Sequence, residues 1–191
     1  MAGPSNIDVG RLRETLGDKL LEAAEFRGET TVRVALDGLR ECLRACRDAL
    51  GLELLLDLAG VDHLGAEPRF EVVYELAAVD GSRQLRVKAA VGEGEAVPTA
   101  TGLWGAADWL EREAWDMMGI RFDGHPDLRR ILMWEGYPFH PLRKDFPLAG
   151  RPSEVPEVAF TEVAPLEGGP FVTAAGAANR VVAEPRARPA Q

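Results

Sequence analysis

The segment "RFEVVYELAAVDGSRQLRVKAAV", residues 69–91, constrains the fold of this 191-residue chain more than any other. Apolar residues recur at every second position in both of its halves, which is the period of a strand with one buried face. Asp80 and Gly81 lie between the halves, and an Asp-Gly pair is a strong signal for a tight hairpin turn. The segment therefore predicts two antiparallel strands that turn one apolar face towards a core.

Helices and further strands are predicted on both sides of this hairpin. Apolar residues at helical spacing predict helices over residues 7–17, 38–50 and 103–118, and β-branched alternation predicts a strand over 30–36. The near-continuous apolar run 52–61 predicts a central strand that is buried on both faces. This order of elements predicts an α+β fold, a two-layer sandwich of helices on a mixed, mainly antiparallel sheet.

Capping residues predict where the helices begin and end. Asp37 is a good N-cap for the second helix, and Thr99 or Thr101 can cap the third. Gly51 and Gly119 stand where a glycine in the left-handed conformation ends a helix. Beyond Gly119, repeated prolines exclude long regular elements.

The domain organisation follows from the prolines. Residues 1–150 are predicted to form the α+β domain, and residues 151–191, which hold 6 of the 13 prolines, an extended tail. The tail is expected to lie across a neighbouring protein, and the alternative is that it folds back on its own sheet. Its sparse apolar anchors would be Val155, Val158, Phe160, Val163, Leu166 and Phe171.

The composition excludes several functional classes. A formal net charge of -9 argues against binding to nucleic acid or to an anionic lipid surface, because both need a basic face. No apolar run approaches the roughly 18 residues of a membrane span. The first residues, "MAGPSNIDVG", lack the features of a secretory signal, so a cytoplasm-like compartment is expected.

Cys42 and Cys46 are the two cysteines of the chain. Their spacing places both on one face of a helix, in an apolar stripe with Leu39 and Leu50, which predicts small core residues. A metal or redox site is the alternative, but an iron–sulfur cluster usually has four thiolate ligands. No cluster is therefore expected in this chain.

The segment "LEREAWDMMGIRFDGHPDLRRIL", residues 110–132, has the residue types of a catalytic site. An enzymatic interpretation makes Glu111 or Glu113 a general base and His125 or His140 an acid. The histidines lack the spacing of zinc ligands, and no nucleophile motif, dinucleotide fingerprint or phosphate-binding loop occurs. These absences favour a surface that another protein holds.

The segment "HPLRKDFPL", residues 140–148, favours the same interpretation. Its prolines stiffen the chain, so little conformational entropy is lost on docking. Leu142 and Phe146 are apolar anchors. The planar guanidinium of Arg143 can donate hydrogen bonds to a carboxylate or a carbonyl. A free-standing anion site is the alternative, and a rigid docking loop fits better.

Together the two blocks resemble the C-type subunit of proton-pumping NADH:quinone oxidoreductase, respiratory complex I. The resemblance covers about residues 50–150, and its motifs are the Glu111-Arg112-Glu113 triplet, Asp116, Gly119-Ile120, Gly124 to Arg129 and His140 to Leu148. It implies a scaffold subunit of the peripheral arm, at the cytoplasmic side of the cell membrane. It also implies that FMN, iron–sulfur clusters and quinone belong to partner subunits, and that this chain has no catalytic, cofactor-binding or metal-binding residue.

The partners that the resemblance implies are the quinone-cavity subunit of the peripheral arm and the cluster-bearing subunits. The motif residues are then expected to act by subunit contact or by positioning: Glu111, Arg112, Glu113, Asp116, His125, Asp127, Arg129, His140, Arg143, Lys144, Asp145 and Phe146. One alternative is an equivalent scaffold in a membrane-bound hydrogenase or an F420H2- or ferredoxin-linked oxidoreductase. The other is a stand-alone acid/base enzyme.

Overall fold

A computed structural model describes residues 7–147 of the chain. The chain divides into two compact units, the first ending at Gly136 and the second beginning at Tyr137. The predicted boundary between residues 150 and 151, and the predicted tail, lie outside the described residues.

The first unit holds all the helices and strands of the described residues. The helices are α1 (Val9–Leu16), α2 (Leu39–Asp48) and α3 (Ala107–Met118). The strands are β1 (Leu20–Phe26), β2 (Glu29–Val34), β3 (Leu54–Asp62), β4 (Phe70–Ala77), β5 (Gln84–Val91), β6 (Ala96–Pro98) and β7 (Arg121–Asp123). Short 3₁₀ turns occupy Gly17–Lys19 and Leu36–Gly38.

Five strands form one sheet in the order β1-β2-β5-β4-β3, and β2 and β5 are its parallel pair. The predicted hairpin is β4–β5, and in its turn the Asp80 carboxylate accepts a hydrogen bond from the Ser82 amide at 3.0 Å. The core-facing side chains are buried as the alternation predicts: Phe70, Val72, Tyr74, Leu76, Leu85, Val87, Ala89 and Val91. The predicted α+β fold is confirmed.

Helices α1 and α2 cover this core with their apolar stripes. Leu12 and Leu16 of α1 are buried, as is the predicted α2 stripe with Cys42 and Cys46. Burying a leucine side chain contributes about 1.5–3 kcal/mol, so a few such residues hold each short helix in place. Gly17 ends α1 with a positive φ of 53°.

The prediction of a central strand over 52–61 was wrong. Strand β3 lies at an edge of the sheet, and Leu54 and Leu56 are 40% and 54% exposed. Helix α3 contacts β3, so Leu55 and Leu58 are buried while the neighbouring leucines face outward. A run of leucines is compatible with either position, because strand order is set by pairing with distant residues.

Two predicted helix caps were also wrong. Helix α2 follows a 3₁₀ turn, its N-cap is Gly38, and the Asp37 carboxylate instead lies 3.5 Å from the Lys19 ammonium. Helix α3 begins at Ala107 with Ala106 as a cap that has no side-chain hydrogen bond. Thr99 and Thr101 lie upstream of the helix, and their hydroxyls bond to each other at 2.9 Å.

Strands β1, β6 and β7 were not predicted. Six of the seven β1 residues are exposed, so the strand has no alternating pattern in its sequence. Strand β6 pairs with β7 in a parallel ladder of three residues each, which is too short to carry a period. Among residues 7–147, no helix is long and apolar enough to cross a membrane.

Candidate functional site: a buried clamp between α3 and the loop that follows it

Helix α3 buries charged side chains on the side that packs against the protein. Glu111 and Asp116 are 0% exposed and Arg112 is 7% exposed, whereas Trp109 on the outer side is 59% exposed. Charged side chains are almost never fully buried unless they are paired, because desolvation of an unpaired charge is costly. The positions of these three residues therefore depend on what each one contacts.

Asp116 binds the loop after β7 through its backbone. One carboxylate oxygen, Oδ2, accepts hydrogen bonds from the amides of Ile131, Leu132 and Met133 at 3.0, 2.8 and 2.8 Å. The other, Oδ1, accepts a hydrogen bond from the Arg130 guanidinium. Burial by itself would raise the pKa of Asp116, but the three amides and Arg130 outweigh it and lower the pKa below its ordinary value.

Arg112 binds the backbone of the same loop as a hydrogen-bond donor, whereas Asp116 binds it as an acceptor. Its Nε donates to the carbonyl of Arg129 at 3.1 Å, and its Nη2 donates to the carbonyl of Arg130 at 3.2 Å. The guanidinium also lies over the Trp109 ring, 5.1 Å from its centroid. We call Arg112, Asp116, Arg130 and the backbone of 129–133 the α3 clamp.

A second group consists of Asp108 and Glu111 of α3 and of His125, which follows β7, and we call it the acid–histidine cluster. His125 accepts a hydrogen bond at Nδ1 from the Asp127 amide at 3.0 Å. An acceptor at Nδ1 leaves the ring proton on Nε2, which lies 3.2 Å from both the Asp108 carbonyl oxygen and Oδ1. His125 therefore bridges α3 and the loop that follows β7.

Glu111 is the most enclosed member of the acid–histidine cluster. Its Oε1 accepts from the Ala100 amide and its Oε2 from the Thr99 hydroxyl, both at 2.6 Å, and its Oε2 lies 3.9 Å from His125 Nε2. Burial is the main cause that raises the pKa of Glu111; the hydrogen bonds and His125 act in the opposite direction, and Asp108 adds to the increase. Because Thr99 follows β6, this carboxylate ties α3 to the small β6–β7 sheet.

These contacts decide what the buried groups can do chemically. A general acid or base has to come within hydrogen-bond reach of its substrate. The side chains of Glu111 and His125 are 0% exposed, and their polar atoms point to protein groups. No group of three or more His, Cys, Asp or Glu side chains within residues 7–147 could hold a metal ion. The polar atoms of these two side chains therefore join α3 to the segments around it.

The other motif residues of the first unit lie at the surface. Glu113 is exposed and has no hydrogen bond or ion pair within the described part of the chain. Asp127 and Arg129 form an exposed pair at 2.8 Å, with 56% and 70% of their side chains accessible. An exposed pair of this kind contributes about 0–1 kcal/mol to stability, so it adds little to the free energy of unfolding.

The second unit carries the predicted docking loop. The His140 carbonyl accepts from the Arg143 amide at 3.2 Å, and the Arg143 carbonyl accepts from the Phe146 amide at 3.0 Å. The Phe139 ring lies 6.0 Å from the Phe146 ring. Lys144 and Asp145 are exposed. These consecutive turns give the loop a defined backbone conformation.

Sequence reasoning named only part of the site. Arg130, Asp108 and Thr99 hold the buried groups and were not among the predicted site residues. Asp108 and Arg112 stand four residues apart, a spacing that suggests an ion pair, yet they turn to different partners. The adjacent Arg129-Arg130 pair was the available signal for a second arginine in the clamp.

The thiols of Cys42 and Cys46 should be unreactive in the folded chain. Both are 0% exposed and their sulfurs are 4.0 Å apart. The hydrogen bond to Cys42 and then burial raise the pKa of the Cys46 thiol well above its ordinary value, so little thiolate forms. We expect a thiol reagent at pH 8 to modify the folded chain at least about 100-fold more slowly than the urea-unfolded chain. Equal rates would contradict this burial.

Comparison with known proteins assigns this chain to a family. The family model described as "Respiratory-chain NADH dehydrogenase, 30 Kd subunit" matches residues 32–152, which include the α3 clamp and the docking loop. The chain belongs to this family. The description of the model names the members of this family as subunits of NADH dehydrogenase.

Individual relatives agree with the family assignment. The chain is 46% identical over 147 residues to the C-type subunit of NADH-quinone oxidoreductase from Citrifermentans bemidjiense, covering 76% of this chain and 91% of the relative. It is 47% identical over 154 residues to the same subunit of a Roseiflexus species, covering 79% and 86%. The predicted resemblance to the C-type subunit of complex I is confirmed.

A solved structure has the same fold. It belongs to the membrane-bound sulfane sulfur reductase, described as an archaeal respiratory membrane complex, and aligns with a TM-score of 0.63 at 26% identity. The alignment covers 73% of this chain and 83% of that one.

Proposed function

We propose that this chain is a non-catalytic scaffold subunit in the peripheral arm of a proton-translocating NADH:quinone oxidoreductase. The observation that carries the proposal is the α3 clamp. The charged residues of the most distinctive motif are buried and bound to backbone groups of the same chain. A helix used in this way fixes the shape of the following loop, which is what a scaffold needs in order to present a surface to its partners.

The redox chemistry then belongs to other subunits. FMN, the iron–sulfur clusters and the quinone would be held by partners, and this chain would support electron transfer by keeping those partners in place. Its expected neighbours are the quinone-cavity subunit and the cluster-bearing subunits. The exposed motif residues, Glu113, Asp127, Arg129, Lys144 and Asp145, are candidates for those contacts. The expected location is peripheral, at the cytoplasmic side of the cell membrane.

A second candidate function is the equivalent scaffold in a complex with another electron donor or acceptor. The observation in its favour is the fold shared with a protein of a sulfane sulfur reductase complex. The hydrogenase and the F420H2- or ferredoxin-linked oxidoreductases are further hosts of this type. The identities of 44–47% to subunits named for NADH–quinone chemistry favour the first proposal.

A protein inventory of the host complex tests the proposal. The full chain is affinity-tagged in its own organism, and the membranes are solubilised gently before purification. We expect an NADH-oxidising flavoprotein and cluster-bearing subunits to co-purify, and the chain alone to show no flavin or iron–sulfur absorbance. A nickel-bearing or sulfur-reducing partner would support the second candidate. Substantial NADH or acid/base activity in the isolated chain would contradict both.

A further inference from the structure

The five-stranded sheet has two edges, and they differ in how they are protected. At the β3 edge, the register with β4 is interrupted between Leu55 and Asp57. The Asp57 carboxylate accepts a hydrogen bond from the Leu58 amide at 2.9 Å, and the Glu53 carbonyl accepts one from the Trp104 indole at 3.0 Å. Bulges and side-chain caps of this kind prevent a further strand from pairing.

The β1 edge has an irregularity only at its start, where the register with β2 shifts between Leu20 and Glu22. From Glu22 to Phe26 the strand pairs with β2 in an uninterrupted register, and β2 is its one sheet neighbour within residues 7–147. Six of its seven residues are exposed, with Leu21 at 64% and Phe26 at 70%. A strand that carries exposed apolar side chains and a row of unpaired backbone groups is a template for another strand.

We propose that β1 is a docking edge on which an extended segment of another subunit adds a sixth strand to the sheet. The chemistry of β1 defines that segment. Backbone groups would supply the affinity, apolar side chains would cover Leu21 and Phe26, and a lysine or arginine would stand opposite Glu25. Glu25 has no ion-pair partner in the described part of the chain, whereas Glu22 lies 3.6 Å from Arg33.

The charges of β1 argue against a second copy of this chain as the occupant. In an antiparallel self-pairing centred between Ala23 and Ala24, Glu22 stands directly opposite Glu25 on both sides. If the centre moves to Ala24, the two Glu25 side chains become diagonal neighbours. Like charges opposite each other destabilise a strand pair, so a basic partner segment fits better than a copy.

This inference rests on the proposed function, because it needs a host complex with other subunits. Hydrogen exchange measured on the full chain, alone and in the purified complex, tests the pairing directly. In a strand pair, alternate residues direct their amides to the new neighbour. We expect alternate amides of Glu22 to Phe26 to exchange at least 10-fold more slowly in the complex, with no such change at β3.

Two matched charge reversals test the chemistry of the segment. Glu25→Lys places a positive charge opposite the expected basic residue, and Glu53→Lys makes the same change beside the protected β3 edge. Both side chains are exposed, so thermal unfolding should show that both variants fold. We expect Glu25→Lys to lower the complex-bound fraction of the chain at least 3-fold, and Glu53→Lys to leave it unchanged.

A benzophenone photo-crosslinker at position 26 identifies the occupant. A product that maps to a lysine- or arginine-containing segment of another subunit supports the proposal. A product with a second copy, or with residues 148–191 of the same chain, would overturn it, as would β1 amides that exchange equally fast in both states. If the chain enters no respiratory complex, the proposed function itself fails, and that outcome differs from a complex in which β1 stays unpaired.

Discussion

Replacing Asp116 with alanine is expected to lower the free energy of unfolding by about 3–5 kcal/mol, the usual cost of removing one partner of a buried charge pair. The substitution leaves three successive amides, Ile131 to Met133, without their acceptor and the Arg130 guanidinium without its counter-charge. Urea unfolding of the full chain measures the loss. The Asp116 side chain itself is 0% exposed, so its charge depends on these partners.

Two further variants separate charge from hydrogen bonding. Asp116→Asn keeps an oxygen acceptor but loses the attraction to Arg130, so we expect a smaller loss than for alanine. Glu113→Ala, on the exposed side of the same helix, is the matched control and should change stability by less than about 0.5 kcal/mol. If Asp116→Ala and Glu113→Ala were equally stable, the α3 clamp would have no energetic role.

Replacing Glu111 with alanine is expected to cost about 1–3 kcal/mol, the usual penalty for leaving buried donors unsatisfied. The Ala100 amide and the Thr99 hydroxyl lose their acceptor. The loss should be smaller than for Asp116, because burial already disfavours the charged form of Glu111 and raises its pKa. Glu111→Gln retains one oxygen acceptor and should cost less than alanine.

The pH dependence of these two carboxylates should have opposite signs. The pKa of Asp116 is lowered in the folded state, so its contribution is fully present above the ordinary value of about 3.9 and is lost as the pH falls through the lowered pKa. The pKa of Glu111 is raised, so its contribution is fully present below about 4.3 and is lost as the pH rises through the raised pKa.

Urea unfolding between about pH 3.5 and 7 can measure both signs, since this window contains the ordinary carboxyl pKa values. The stability difference between wild type and Asp116→Asn should grow as the pH rises. The difference between wild type and Glu111→Gln should shrink over the same range. Parallel trends for the two variants would contradict the environments assigned to these side chains.

The fold class could be predicted because its strongest signal is local. The alternation in residues 69–91 and the Asp80-Gly81 turn follow from a period of two and from turn chemistry, and both lie within a short stretch of chain. The edge position of β3 could not be predicted in this way. It depends on which strands pair, and the parallel contact between β2 and β5 joins residues more than 50 positions apart.

The charged residues of the candidate site could be predicted from the sequence, but the groups that they bind could not. Glu111, Arg112 and Asp116 could be named because their order resembles a known motif, whereas their residue types alone suggest a solvent-exposed helix. Their partners are mostly backbone groups, the amides of 131–133 and the carbonyls of Arg129 and Arg130. Every residue except proline has an amide, so no sequence pattern identifies the ones that a buried carboxylate will bind.

We propose that the α3 clamp positions a loop and carries out no chemistry. The most direct test compares two quantities for Asp116→Asn in its own organism: the amount of complex recovered from membranes, and the NADH:quinone turnover per assembled complex. We expect the amount of complex to fall several-fold while the turnover per assembled complex stays within about 2-fold of wild type, since a lost positioning contact acts on assembly. Normal assembly with a collapse of turnover would contradict the account.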